Sequence, residues 1–84
     1  MEMYFFTGKE VIVDAVTFKG RERLRAFPKH MVFDGQEVTF EDGDLREDRG
    51  DVTTYEMTDG RNQYELKFEA LSQAWKLQHV VTVG

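Results

Sequence analysis

Apolar and polar positions along this chain repeat with a period of two more clearly than with a helical period. In Gln63 to Ala70 the apolar set Tyr64, Leu66, Phe68 and Ala70 interleaves with Gln63, Glu65, Lys67 and Glu69, as in a strand with one buried face. Glu10 to Phe18 is apolar on both faces. Val11, Val13 and Ala15 share one side, and Ile12, Val16 and Phe18 share the other with Asp14 among them. Such a strand is expected at the centre of a sheet or in one curled on itself. Glycines at 8, 20, 35, 43, 50 and 60 punctuate the chain, and the stretches between them are rich in Val, Thr, Phe and Tyr.

The turns follow from the breakers. Asp34-Gly35 between His30–Phe33 and Gln36–Phe40 predicts one hairpin, and Asp59-Gly60 between Val52–Thr58 and Arg61–Ala70 predicts a second. Lys19-Gly20 turns the first long strand into Arg21–Phe27. Pro28, with no N–H to donate, ends that strand or marks a sheet edge. Glu41 to Asp51 is nearly all charge and reads as a loop. Near the C-terminus Phe68, Leu71 and Trp75 stand at helical spacing, while Trp75, Leu77, His79, Val81 and Val83 alternate. The change of parity at 71–73 requires a tight turn or one helical turn near 70–74, and strand–turn–strand is the favoured reading. Tyr4-Phe5-Phe6 makes a first strand or a latch on the core, with an exposed dimerisation patch as the alternative. The sum is one all-β domain over 1–84, a small antiparallel barrel or roll of six or seven short strands built from hairpins.

Composition narrows what such a domain does. The chain has 84 residues, no cysteine and a net charge of −5. Lack of cysteine excludes a disulfide scaffold, a thiolate zinc site and a cysteine nucleophile. The acidic balance opposes general attraction to nucleic acid or to an anionic membrane. Met3 to Phe6 is too short for a membrane span and has no basic stretch before it, so a cytoplasmic chain is expected. His30, His79 and the single Ser72 come with no phosphate loop and no metal-binding spacing. No enzyme activity, metal or cofactor is expected. The acidic stretch resembles a calcium loop only in composition, because Arg46 stands where the fifth position from Asp42 needs an oxygen ligand.

Net charge conceals two poles. Residues 19–30 sum to +4 through Lys19, Arg21, Arg23, Arg25 and Lys29, and residues 41–51 sum to −4. A two-residue Lys19-Gly20 turn would set Phe18 opposite Arg21, Val16 opposite Arg23 and Asp14 opposite Arg25. Phe18, Lys19, Arg21, Arg23, Arg25 and Lys29 are then the candidate surface for an acidic protein partner or, less favoured by the charge, single-stranded nucleic acid. The plainer reading pairs this strand with the acidic stretch of the same molecule or of a dimer mate. Tyr55, Tyr64, Phe68 and Trp75 are core by the same plain reading, or else the lining of a pocket for an apolar or cationic small ligand. The expected role is a non-enzymatic binding or accessory module, homodimeric because small sheets leave edges to be covered.

Overall fold

The structure is a computed structural model that describes residues 2–82. Its seven strands are β1 (Glu2–Lys19), β2 (Arg25–Phe33), β3 (Gln36–Thr39), β4 (Asp42–Asp48), β5 (Val52–Thr58), β6 (Asn62–Glu69) and β7 (Ala74–Thr82). They form one antiparallel sheet in the order β3-β2-β1-β7-β6-β5-β4, curled into a half-barrel, and no helix occurs among the described residues. Val83, which the alternation places on the last strand, lies outside the described residues.

β1 organises the sheet. Glu2–Val11 pairs with β7 and Ile12–Lys19 pairs with β2, so a single strand of 18 residues serves two neighbours in succession. Gly8 does not end it. Thr7 and Gly8 take left-handed conformations, φ 53° and 84°, and the ladder slips between Phe5 and Lys9. This irregularity bends the strand and lets the sheet curl.

The hairpins differ in how closely they keep to expectation. Phe33 pairs directly with Gln36, and Asp34 and Gly35 both have positive φ, as the tight turn requires. At the second hairpin Thr58 pairs with Gln63, so the loop has two residues more than Asp59-Gly60 alone. An even shift leaves Tyr64 and Leu66 on the buried face. Between β6 and β7 the chain makes a tight turn with Gln73 at φ 54°, and the helical turn is not formed. Gln78 then bulges, because Glu65 pairs with His79 but Leu66 pairs with Leu77. The bulge carries Val80 inward and turns His79 and Val81 out, where simple alternation would have kept them with Trp75.

Three expectations are corrected. Residues 20–24 are loop rather than strand, and the register is Lys19 with Arg25, Phe18 with Ala26 and Val16 with Pro28. Gly20 permits this by folding the loop back on itself at φ 139°. A Cβ there would meet the Arg23 carbonyl oxygen at 2.1 Å. Pro28 continues β2 instead of ending it, since it sits beside the register slip at Ala15/Val16, where a missing donor is tolerated. The acidic stretch is not a loop: Asp42–Asp48 is β4, the outermost strand beside β5.

The core fills the concave side with Val11, Phe27, Met31, Phe40, Tyr55, Met57, Tyr64, Leu66, Leu77 and Val80. Phe40 and Glu41 join the two outermost strands, β3 and β4, and close the curl. The Phe40 amide donates to the Lys29 carbonyl of β2, and the Glu41 amide donates to the Thr58 carbonyl of β5, each at 2.8 Å. Consecutive residues thus stitch opposite ends of the sheet, while the Phe40 ring meets Tyr64 edge-on at 5.4 Å inside.

Candidate functional site

The basic residues do not share one strand face. Lys19, Arg25 and Lys29 turn toward the seam that Phe40-Glu41 closes. Lys19 Nζ donates to the Gly43 carbonyl at 2.6 Å, pairs with Asp42 at 3.2 Å and sits 4.4 Å from the centre of the Phe27 ring. Lys29 Nζ donates to the Phe40 carbonyl at 3.0 Å, and Arg25 pairs with Asp48 at 2.7 Å. Basic hairpin and acidic β4 therefore meet within one molecule. The Gly43 amide, followed by Lys19, holds the Asp42 carboxyl below the usual carboxylate range. The Gly50 amide, followed by Arg25, does the same for Asp48.

Arg21 and Arg23 stand apart in the loop, exposed, with Leu24 (69% exposed) after them and Phe18 (64%) at the end of β1. Among the described residues neither arginine has a carboxylate within ion-pair distance. The tip is thus an apolar knob carrying two free cations, not the flat arginine face the sequence suggested. Below it lies a cleft of about 120 Å³ between Thr17, Lys29, Phe40 and Asp42. That is smaller than the roughly 300 Å³ at which sites for drug-sized ligands begin.

Three of the four candidate pocket aromatics come together. Trp75 packs on Phe68 at 4.8 Å and on Tyr55 at 5.4 Å, whereas Tyr64 lies against Phe40. Tyr55 and Tyr64 are buried in the core, and Phe68 and Trp75 pack against it partly buried. Tyr55 also donates its hydroxyl to the Ala26 carbonyl at 2.9 Å, tying β5 to β2 across the seam, and burial pushes its pKa up. Tyr64 donates to Asp59 at 2.9 Å.

Two features escaped sequence reasoning. One is a polar row across the convex face. Arg46 pairs with Glu56 at 2.8 Å, Glu56 and Glu65 are register partners, and His79 lies 3.6 Å from Glu65 with the Phe5 ring beyond it. It depends on the Gln78 bulge, which no local signal announces. The other is the apolar outer side of β1. β1 is central in the sheet, as a strand apolar on both faces is expected to be, yet Ile12, Val16 and Phe18 face outward and stay exposed. Only their shared parity was visible in advance. Compared with protein-family models, with curated proteins and with solved structures, the chain gives no significant match.

Proposed function

We propose that this chain is a non-enzymatic interaction module that works as a homodimer. The observation that carries the reading is where the exposed apolar side chains stand. Of the eight large hydrophobics exposed among the described residues, six belong to β1: Met3, Tyr4, Phe5, Ile12, Val16 and Phe18. Scattered exposed hydrophobics are ordinary, but a succession along one strand marks a contact surface. The polar chemistry supports the same reading. His30 sits between the carboxylates of Asp14 and Glu37, at 2.5 and 3.4 Å, and Ser72 donates to Glu69 at 3.3 Å. These contacts do not join Ser72 to a histidine. Lys19, Arg25 and Lys29 are committed to the seam, which leaves Arg21 and Arg23 as the free cations of the candidate set and weakens the nucleic-acid alternative.

Sedimentation equilibrium from about 1 μM to about 1 mM should show the mass rising from protomer to twice protomer, with a midpoint in the micromolar range expected of a small interface. A protomer mass at every concentration overturns the proposal.

A further inference from the structure

β1 overshoots β2. Their ladder ends at Ile12, opposite Val32, so Glu2–Phe5 has β7 along one edge and, among the described residues, no strand along the other. Beyond that ladder the end of β2 and the turn after it touch β1 at Phe6, through the Phe33 ring, and at Lys9, through Asp34. Thr82 fixes which way the backbone points. The Glu2 amide donates to its hydroxyl at 3.1 Å, and that hydroxyl lies 3.3 Å from the Glu2 carbonyl. Both main-chain groups of Glu2 therefore face β7. Because these groups alternate sides along a strand, those of Met3 and Phe5 face the open edge. The side chains of Met3 and Phe5 share the outer face with their β7 partners Val81 and His79, and are 50% and 71% exposed.

We propose that two copies of the chain pair along this edge, antiparallel about a twofold axis at Tyr4, so that one sheet runs through both protomers. The inference rests on the homodimer reading above and names its surface. The register follows from the strand. Centred on Tyr4, the pairing uses the whole run Glu2–Phe6 and stops short of the kink at Thr7-Gly8. Met3 then stands opposite Phe5 of the mate, and Phe5 opposite its Met3, at the hydrogen-bonded positions where the outward amides and carbonyls meet. Their side chains form a thioether–aromatic cluster on the outer face. Glu2 stands opposite Phe6, so no like charges face one another.

Charge and length favour a second copy at this edge over the outermost edges of β3 and β4. Met3–Phe6 is uncharged, whereas β4 carries four acids, Asp42, Asp44, Glu47 and Asp48, against the single Arg46, so its strand repels a second copy of itself. β3 is only four residues long and carries Glu37. Charged and very short edges are those that resist pairing.

The chain has no cysteine, so one introduced thiol reports the register without interference. Residues opposite at a non-hydrogen-bonded position have Cα atoms about 4.5 Å apart, within the span of a disulfide. Under mild oxidation Tyr4→Cys should give covalent dimer at least about tenfold faster than Ile12→Cys or Phe18→Cys at the same concentration. Met3→Pro removes an outward N–H near the start of the strand and should move the sedimentation equilibrium to protomer with Trp75 fluorescence unchanged. If Met3→Pro fails to fold, the cross-linking rates decide alone. A wild-type dimer in which Ile12→Cys or Phe18→Cys links faster than Tyr4→Cys overturns this edge and leaves the homodimer reading standing. A protomer at all concentrations overturns both, and leaves the edge to a strand of some other protein.

Discussion

Asp59 shows how one side chain fixes a turn and records the acidity of the solvent. Its carboxylate accepts from the amides of Arg61 and Asn62, at 2.9 and 2.7 Å, and from the Tyr64 hydroxyl. Burial by itself raises its pKa, but these donors outweigh burial and the net position is below the usual carboxylate value. A carboxyl whose folded pKa is depressed stabilises the fold above its unfolded pKa, about 3.9, and that contribution is lost as pH falls through the lower folded value. Asp59→Asn should therefore be less stable than the native chain at pH 7, and the gap should narrow steadily as pH approaches 2. Urea midpoints measured along that range test this; a gap that stays constant with pH counts against it. The partner behaves oppositely, since burial and the bond to Asp59 raise the Tyr64 pKa. Its contribution is complete below pH about 10 and is lost as pH rises through the folded value.

At the scale of elements, legibility depended on whether a loop was mispredicted by an even or an odd number of residues. The Asp59-Gly60 hairpin is longer than expected by two, which moves every partner but no side chain to the wrong face, so Tyr64, Leu66 and Phe68 kept their places. The first connection shifts by an odd number. Phe18 pairs with Ala26 instead of Arg21, and Arg21 and Arg23 leave the sheet altogether. The arginine face failed for that reason, although the opposed charges that suggested it do meet, as Lys19 with Asp42 and Arg25 with Asp48. β4 was hidden because its sequence is that of a loop, and pairing to β5 imposes the strand. Gly43 makes the pairing possible: a Cβ there would lie 2.2 Å from Met57 Sδ and 2.8 Å from the Glu56 carbonyl oxygen. Gly43→Ala should cost about 1–3 kcal/mol, because the backbone clash cannot be relieved by turning a side chain. Chemical denaturation checks it, and a neutral result would mean that β4 can stand further from β5.

For the whole molecule the decisive residue is Phe40, 1% exposed between the outermost strands. Phe40→Ala should cost about 3–5 kcal/mol. Set against the roughly 5–15 kcal/mol that holds any domain together, this removes a large share of the stability. Phe40→Leu should recover most of the loss. Thermal melts of the two variants give the comparison, and equal melting temperatures would show that the seam hydrogen bonds close the curl without the ring.

The placement of β1 has a consequence for the order of assembly. It is first in the chain and central in the sheet, and its partner β7 is last, with 80 positions separating Glu2 from Thr82. As the chain emerges during synthesis, β1 can zip to β2 at once, and β4, β5 and β6 can form a meander of their own. The two pieces stay unjoined along β1 until β7 arrives to lie between them. Nucleation thus waits on contacts spanning nearly the full length, which places folding in the slow range of milliseconds to seconds typical of non-local β topologies. Throughout that wait the apolar Met3–Phe6 edge is bare on both sides.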